Sequence, residues 1–387
     1  MKILLLYGDG TQAIPVVKEL HKAGHIVDAV ACSKYGYGSC SRYLNKCYYF
    51  ENMKDIDGYY TYLVTLLKKE QYDTVIPLRD ENTKLLCKYR DELLKYTHFV
   101  VPDNETFERG SDKHLLMEIC QRKSYPHPQT TIVEGDSLDK INLDNLAYPL
   151  LIKPNHTAGA KGMTLVHSKE ELLAKFPMIH ATFGECHLQS YIPHGGAQVE
   201  VQLYVDEAKR LVNSSVIYKY RWYPENGGSS CCAKSVRNEE IVDTLYHLLL
   251  DIGWVGFADF DTIEDPRTGK LLIMEMNPRL PACVKTAFEA GINWAEIIVN
   301  GYMGLPQKTY EYKENEYVRY LGLESLWFYY SKNRLKTKPS WFKFLGRHIH
   351  YQDMSDWTDP KPFFFGLWGN LKKQSSPEFR KAKSGSR

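Results

Sequence analysis

A carboxylate, an amide and a guanidinium at alternating positions of one apolar run are the first residues that could do chemistry. Glu275, Asn277 and Arg279 stand at every second residue of "LLIMEMNPRL", which otherwise predicts a buried strand. Successive strand side chains point to opposite faces, so these three share one side of a sheet. Asp261 lies in "GFADFDTIE", a second predicted strand joined to the first by the turn "DPRTGK". An antiparallel pair of these strands brings Asp261 beside Glu275.

Two neighbouring carboxylates repel each other unless a cation lies between them. Asp261, Glu275 and the amide of Asn277 supply hard oxygen ligands, which suit Mg²⁺ bound together with nucleotide phosphates. Asp259 shares the predicted face of Asp261 and could replace or assist it. A structural salt bridge to a Lys or Arg on a neighbouring element is the alternative for Glu275.

A glycine-containing loop after another buried strand could hold phosphates. Lys153 ends the strand predicted in "YPLLIKPN", and the following "HTAGAKGMTLV" contains Gly159 and Gly162. Glycine lets a loop approach phosphate oxygens closely, although this loop lacks the Walker pattern and a following helix. Lys113, in "SDKHLL", is a second candidate cation. An ordinary surface turn and a solvated lysine are the alternatives for the two.

The segment "LQSYIPHGGAQVEVQ" is the candidate for recognition of a base and a ribose. Backbone groups left free at residues 189–192, where a strand ends, could bind an adenine edge. Gln198 and Glu200 share a face of the next predicted strand and could reach ribose hydroxyls. Polar residues on a solvent-facing strand edge are the alternative for both.

The elements that position these residues begin with an α/β pattern. "KILLLY", "GDGTQAIPVVKELHKAGH" and "IVDAVAC" predict strand, turn with helix, and strand, a βαβ start that favours a parallel sheet. "YDTVIPLRDENTKLLCKY" repeats the pattern with a strand that closes at Pro77, and "HFVVPD" predicts another strand. The first turn matches a dinucleotide-binding fingerprint, but no acid ends the second strand, so a tight βα turn is favoured over NAD binding.

Composition narrows the classes of function. The chain has 387 residues, 43% hydrophobic, and a net charge of +2, so no overall basic field attracts nucleic acid. Nine cysteines without a Cys-x-x-Cys motif fit a reducing compartment better than a disulfide framework or a zinc site. No run approaches about 20 apolar residues, so we expect no transmembrane segment. We expect a cytoplasmic protein that acts on small molecules.

In their order along the chain, these motifs resemble the ATP-grasp superfamily over roughly residues 1–305. "GFADFD", "DPRTGK" and "MEMNPRLP" are similar to the metal-site signature of its carbamoyl-phosphate-synthase large-chain-like and D-aspartate-ligase-like members. "CSRYLNKC", "VIPLRDEN" and "PDNETFERGSDKHLL" resemble motifs of the linked N-terminal domain. The implied fold class is α/β, with an N-terminal Rossmann-like parallel sheet followed by an ATP-grasp fold whose two α+β subdomains sandwich ATP.

The resemblance also implies the domain limits. Residues 1–105 would form the Rossmann-like domain, and residues 106–305 the ATP-grasp domain, with its lid subdomain at about 120–190. Residues 306–387 would be a C-terminal extension whose last residues, about 15, are polar and predicted disordered. The extension could pack on the nucleotide domain or at a homodimer interface, and "PFFFGLWGN" could contact a lipid surface or a polymer-linked acceptor.

Roles for single residues follow from the resemblance. The phosphates of ATP would be bound by Lys113, Lys153, and a loop with Thr157, Gly159 and Gly162 that closes over them. The adenine would be contacted, mostly through the backbone, by Gln189, Ser190, Tyr191 and Ile192, with Gln198 near the ribose. Many relatives have Glu in place of Gln189, and no clear acid follows for the ribose.

The metal and the reacting groups are implied in the same way. Asp261, Glu275 and Asn277 would hold Mg²⁺, as two ions, with Mn²⁺ as an alternative metal. Arg279 would meet the γ-phosphate or the substrate carboxylate. Arg279 and Lys153 are therefore the catalytic candidates.

The implied reaction is an ADP-forming ligation of a small-molecule carboxylate to an amine. ATP would phosphorylate the carboxylate, and the amine would then take the acyl group from the acyl phosphate. Bicarbonate activation, as in carbamoyl-phosphate synthase, is an alternative, although no internal repeat supplies a second ATP-grasp unit. A module that binds ATP without turnover is the other alternative.

Overall fold

The computed structural model describes residues 1–155, 162–223, 229–354 and 357–375. The strands in these ranges are β1 (Lys2–Leu6), β2 (Ile26–Ala31), β3 (Lys46–Tyr49), β4 (Thr74–Pro77), β5 (Thr130–Ile132), β6 (Leu150–Pro154), β7 (Thr164–Val166), β8 (Cys186–Ser190), β9 (Gln198–Val205), β10 (Leu211–Tyr223), β11 (Ser229–Val236), β12 (Gly256–Glu264), β13 (Leu271–Asn277), β14 (Tyr317–Arg319) and β15 (Ile349–Tyr351). The helices are α1 (Ala13–Lys22), α2 (Ile56–Glu70), α3 (Asp80–Lys88), α4 (Arg90–Leu93), α5 (Asn104–Ser111), α6 (Lys113–Lys123), α7 (Lys169–Phe183), α8 (Glu239–Ile252), α9 (Lys285–Glu289), α10 (Trp294–Tyr302), α11 (Leu321–Tyr330) and α12 (Lys361–Ser375). Short 3₁₀ turns lie at Gly38–Cys40 and Leu143–Asn145.

A four-stranded parallel sheet of order β3-β2-β1-β4 forms the N-terminal part. Its central strand, β1, is a continuous apolar run because helices cover both faces of such sheets. The predicted βαβ start is confirmed. The strand predicted in "HFVVPD" is wrong, since this stretch makes only an isolated bridge from His98 to Thr74. Phe99, Val100 and Val101 are buried instead by side-chain packing in the core.

A seven-stranded sheet of order β13-β12-β9-β10-β11-β14-β15 forms the centre of the molecule. Its neighbouring strands are antiparallel except for the parallel pair β14–β15. The helices α8 and α10 bury their apolar sides here, and α8 ends at Gly253, whose positive φ of 86° closes the helix. The predicted pairing of the two acid-bearing strands, β12 and β13, is confirmed.

A smaller antiparallel sheet of order β5-β8-β6-β7, with α7 packed against it, lies within the range predicted for the lid subdomain and is called the lid below. It has an apolar core of its own, which includes Leu150, Ile152 and Phe176. The parallel sheet and the seven-stranded sheet, in contrast, share one continuous core. The lid therefore has packing independent of the body that carries the acids.

The C-terminal extension packs on the central sheet. Packing within the same chain is one of the two predicted placements, the other being a homodimer interface. β14 and β15 lengthen that sheet, and α11 covers β10 and β11. The helix α12 lies against the 3₁₀ turn Gly38–Cys40 of the parallel-sheet part. The predicted disorder at the chain end falls almost entirely outside the described residues, and the domain limits stay predictions.

Within the described ranges, no helix combines the length and the apolar character needed to cross a bilayer. All nine cysteines are free thiols.

Candidate functional site

Three acids form a row across neighbouring strands of the central sheet. The register places Asp261 of β12 opposite Glu275 of β13 on one side and opposite Glu200 of β9 on the other. The strand pairs are about 5 Å apart, so the carboxylates are close enough to repel. A β-bulge between Asp261 and Thr262 adjusts the strand beside the acids. The predicted pairing of Asp261 with Glu275 is thus present, with Glu200 as an additional member.

A buried lysine balances two of these acids. Lys219 of β10 places its Nζ 2.7 Å from Oε1 of Glu200 and 2.6 Å from Oδ1 of Asp261. Burial disfavours the charge of Lys219, but the two carboxylates outweigh this and raise its pKa well above the usual value. The thiol of Cys283 contacts the other oxygen of Glu200, and burial together with Glu200 raises the pKa of that thiol. Glu200, which the sequence suggested for a ribose, therefore belongs to the acid cluster.

A second row, one step along the same face, consists of Asn277 and Asp259. The Asn277 amide donates to Oδ2 of Asp259 at 3.2 Å and to Oδ2 of Asp261 at 3.3 Å. Burial, followed by the charges of Glu200 and Asp261, raises the pKa of Asp259 well above its usual value. Burial also opposes the charge of Asp261, but Lys219, Asn277 and other donors outweigh it and lower the pKa of that group.

The acid face offers oxygen ligands of the kind that hold Mg²⁺. Asp259 is fully buried, and its Oδ1 has no hydrogen-bond partner among the described residues. In that part of the chain, no group of three or more His, Cys, Asp or Glu side chains is arranged to hold a metal ion. Two carboxylates and an amide nevertheless match what Mg²⁺ requires when nucleotide phosphates complete its shell. The residues present therefore fit a metal held jointly with a nucleotide.

Arg279 joins the acid face to the N-terminal part. Its Nε lies 3.1 Å from Oδ1 of Asp80, at the start of α3, and its Nη2 lies 3.4 Å from Oδ1 of Asn277. The neighbouring carbonyl of Pro278 accepts a 2.8 Å hydrogen bond from the Thr83 hydroxyl. The guanidinium is thus held at the junction of the two sheets, beside the acids.

Two lysines from elements outside the central sheet lie near the acids. Lys113, at the first turn of α6, places its Nζ 3.0 Å from Oε2 of Glu275, so the salt bridge weighed as an alternative for Glu275 is present. Lys153, on β6, is buried and donates to Oε1 of Gln189 at 2.7 Å. Burial is the main cause that lowers the pKa of Lys153 to about 8, with Glu275 opposing and Lys113 adding to the shift. Neither lysine is an ordinary solvated side chain.

His187, which the sequence reasoning missed, lies beside Lys153. The two residues are opposite each other in the β6–β8 pair, and Nδ1 of His187 lies 2.8 Å from Oδ1 of Asn155. Burial, then the nearby positive charges, lowers the pKa of His187 to about 3. Its ring is therefore neutral and places no second positive charge beside Lys153.

Residues 189–192, which we call the hinge, lie at and just after the end of β8, an inner strand of the lid sheet, rather than at a free edge. The Ser190 N–H donates to the Gln129 carbonyl at 2.8 Å, and the Tyr191 N–H donates to the Pro149 carbonyl at 3.2 Å. The expectation of free backbone groups at 189–192 is therefore wrong for these two N–H groups, because β8 pairs with β5 and β6 on both sides. The side chain of Gln189 is occupied as well, since it also donates to the Thr130 hydroxyl at 3.2 Å.

The remaining candidates divide between described and undescribed parts. Thr157 and Gly159 lie outside the described residues. Gly162 has a φ of 79°, and a side chain there would meet the Phe183 ring at 2.8 Å and Pro154 at 2.9 Å. Gln198 lies on β9, two residues from Glu200 and opposite Lys219 of β10, and Ile192 is the last of residues 189–192. Their roles toward a nucleotide stay predictions.

Lys219 could have been found from the sequence. It alternates with Arg221 in "VIYKYRWY", the same signal of charge on one face of an apolar strand that drew attention to Glu275. Asp80 and Cys283, in contrast, meet the site only through the tertiary fold.

Known proteins are similar to this chain over the region that contains the site residues. Residues 112–291 match the family model described as "Carbamoyl-phosphate synthase L chain, ATP binding domain". The D-aspartate ligase of Enterococcus faecium is 25% identical over 304 residues, which cover 72% of this chain and 71% of that protein. The carbamoyl phosphate synthase large chain of Bifidobacterium longum is 24% identical over 241 residues, covering 56% of this chain but only 20% of that much longer protein.

A solved structure supports the same fold. The biotin carboxylase–β,γ-ATP complex from Campylobacter jejuni superimposes with a TM-score of 0.67 at 16% identity, covering 81% of this chain and 74% of that one. At this identity the likeness concerns the fold alone. The matched family model spans Lys113, Lys153 and the acids of β12 and β13, so motif, geometry and fold agree. Residues 112–291 are therefore similar to the ATP-binding domain of the carbamoyl-phosphate synthase large chain, and 72% of the chain is similar to D-aspartate ligase, in keeping with the resemblance to the ATP-grasp superfamily.

Proposed function

We propose that this protein is an ADP-forming ligase that joins a small-molecule carboxylate to an amine at the expense of ATP. One observation carries the proposal: two lysines, an acid row and an arginine from three different parts of the fold meet at one place. Glu275 is the centre of that meeting, since it is paired with Lys113 and lies opposite Asp261. The similarity to D-aspartate ligase over 72% of the chain supports the class of reaction.

The lysines are suited to bind the phosphates of ATP. The negative charge of a phosphate that enters between Lys113 and Lys153 would offset the burial that disfavours the charge of Lys153. Lys113 would contact the phosphate from one side, and Lys153, held in place by Gln189, would contact it from the other. The neutral ring of His187 keeps Lys153 from losing further charge.

The metal would be held by Asp261, Glu275 and Asn277, with Asp259 behind them. When bound, Mg²⁺ supplies charge neutralisation to the phosphates of the nucleotide. In its absence, Lys219 and Lys113 balance the same carboxylates. Glu275, which is one-third exposed, is the acid best placed to exchange its lysine partner for another cation.

The first chemical step transfers the γ-phosphoryl group. An oxygen of the substrate carboxylate attacks the γ-phosphorus, the bond to the β–γ bridging oxygen breaks, and ADP leaves with the electron pair. Arg279, at the junction of the two sheets, would align the attacking carboxylate, because a guanidinium matches the geometry of carboxylates and phosphates. Its contact with Asp80 fixes the side chain in that position.

The second step transfers the acyl group. The amine nitrogen attacks the carbonyl carbon of the acyl phosphate, the carbon–oxygen bond to phosphate breaks, and the nitrogen loses a proton. Arg279 would stabilise the negative oxygen that forms during this attack. An acyl phosphate must be kept from water, and the lid, with its separate core, is the element that could cover it.

Trapping of the acyl phosphate tests the proposal. Mg·ATP is incubated with single carboxylic acids, including amino acids, sugar acids and bicarbonate, in the presence of hydroxylamine. An acid that is a substrate should give its hydroxamate together with ADP and phosphate, and bicarbonate as the active acid would establish the carbamoyl-phosphate-synthase-like alternative. Tight Mg·ATP binding with no hydroxamate or phosphate release for any acid would favour a binding module and contradict the proposal.

A further inference from the structure

The C-terminal extension exposes a surface that the proposed reaction does not use. We define it as residues 329–347, "YYSKNRLKTKPSWFKFLGR", and call it the aromatic–basic surface. This stretch has six basic residues and no Asp or Glu, whereas the whole chain has a net charge of only +2. The basic residues are Lys332, Arg334, Lys336, Lys338, Lys343 and Arg347. They are exposed, and no ion pair joins any of them to an acid of the described residues.

Large apolar side chains are exposed among these charges. The fractions exposed are 73% for Tyr329, 59% for Tyr330, 74% for Leu335, 59% for Phe342 and 87% for Leu345. Exposed apolar groups at this density mark a surface that is covered by something else. Interleaving with lysines and arginines is typical of segments that lie at a membrane interface.

The surface is built rigidly from below. Arg221 donates to the Pro339 carbonyl at 2.6 Å, and Arg319 donates to the carbonyls of Trp341 at 2.8 Å and Lys343 at 2.6 Å. Both arginines are buried and share the carboxylate of Glu324. Because the backbone is fixed on its inner side, the apolar side chains are directed outward without a collapse onto the protein.

Aromatic packing reinforces that arrangement. The Phe328 and Trp341 rings stack at 4.1 Å, and the Trp341 and Phe344 rings meet edge-on at 4.9 Å. These three rings line the inner side, whereas Phe342 and Leu345, next to them in sequence, face out. The exposed Phe342 ring is itself anchored on this layer, since it packs edge-on against Phe328 at 5.7 Å and against Trp341 at 5.3 Å.

We propose that the aromatic–basic surface docks the protein on an anionic lipid bilayer. The positive charges complement acidic lipid headgroups, and Phe342, Leu345 and Leu335 would enter the boundary between headgroups and acyl chains. A polyanion such as nucleic acid would use the charges but leave these apolar side chains exposed. A second copy of the chain would bring six further positive charges against the first six. The bilayer is the partner that satisfies both features.

Vesicle co-sedimentation with the full chain tests the proposal, and the outcome does not depend on the ligase activity. The protein should sediment with vesicles of phosphatidylcholine containing about 30% phosphatidylglycerol, but not with phosphatidylcholine alone. Phe342→Ser/Leu345→Ser should weaken binding at least about tenfold. Lys336→Gln/Lys338→Gln should weaken it about 30-fold, and about 0.5 M salt should weaken the wild type as well.

Matched controls come from the lid helix α7. Leu173→Ser/Met178→Ser removes two apolar side chains that are also exposed, 49% and 65%, and should leave vesicle binding unchanged. All changed side chains are exposed, so circular dichroism melting should show native folding in each variant.

Four results would overturn the proposal. The first is no binding to anionic vesicles, and the second is equal binding to phosphatidylcholine alone. The third is vesicle binding that survives Phe342→Ser/Leu345→Ser while single-stranded DNA competes for it, which would identify a general polyanion surface. Sedimentation equilibrium decides the remaining case: a dimer that these substitutions dissociate, without vesicle binding, would identify a self-association interface and refute docking on lipid.

Discussion

The burial of Lys153 predicts that nucleotide affinity falls as the pH rises through about 8. Burial lowers the pKa of this side chain from 10.5 to about 8, so the ammonium loses its proton within a range where the protein can be studied. Only the protonated form attracts a phosphate strongly. The sign follows directly: affinity is full well below the pKa of Lys153 and is lost above it.

The magnitude follows from the same value. A group with a pKa of about 8 is about 76% protonated at pH 7.5 and about 3% protonated at pH 9.5. If binding requires the protonated form, the dissociation constant of Mg·ADP should rise about 25-fold between these pH values. Phosphate groups lose their last proton near pH 6, so the charge of the nucleotide is constant in this window.

Isothermal titration of Mg·ADP from pH 7.5 to 9.5 measures the effect. Lys153→Arg is the matched control, because a guanidinium stays charged throughout and should bind with a nearly flat profile. A flat profile in the wild type would refute the reasoning, since the free lysine would then not be the titrating group. A 25-fold loss that persists in Lys153→Arg would do so as well, by assigning the dependence to another group.

Three further substitutions test the site and its supports. Glu275→Gln should lower ATP-dependent phosphate release at least about 100-fold, with little change in thermal midpoint because the side chain is partly exposed. Glu207→Gln, which changes an exposed acid, is the control and should keep full activity. Equal activity of the two variants would refute the role of Glu275. Glu324→Ala should lower the free energy of unfolding in urea by about 3–5 kcal/mol, because it leaves two buried arginines unpaired; a loss under about 1 kcal/mol would contradict this. Gly162→Ala should destabilise the lid by at least about 2 kcal/mol, measured by hydrogen exchange, since the added carbon meets a phenylalanine ring. Gly135 also has a positive φ but open space around it, so Gly135→Ala should cost only about 1 kcal/mol. Equal costs for the two variants would exclude the clash.

The predictions that succeeded rest on local periodicity. Alternation in β12 and β13 was enough to place Asp261, Glu275 and Asn277 on one face, because the period of a strand does not depend on the rest of the fold. The βαβ start was predictable for the same reason, from continuous apolar runs bounded by glycine. The strand expected in "HFVVPD" failed because apolar packing, rather than a strand ladder, buries those residues.

The parts that could not be predicted depend on contacts between distant segments. Lys219 could be singled out as a charge on an apolar strand, but its pairing with Glu200 and Asp261 arises only because β9 lies between β10 and β12, an order that the sequence pattern does not reveal. The hinge N–H groups of Ser190 and Tyr191 are occupied because β8 lies between two other strands. Register across a sheet is a tertiary property, and single-strand reasoning stops there.

Transfer of oxygen from the carboxylate to phosphate tests the central claim most directly. The active acid, labelled with ¹⁸O in its carboxylate, is incubated with Mg·ATP and the amine, and the released phosphate is analysed by mass spectrometry. Attack of the carboxylate on the γ-phosphorus predicts one ¹⁸O atom in each phosphate. Unlabelled phosphate, formed together with ADP and the ligated product, would contradict an acyl phosphate and with it the proposed mechanism.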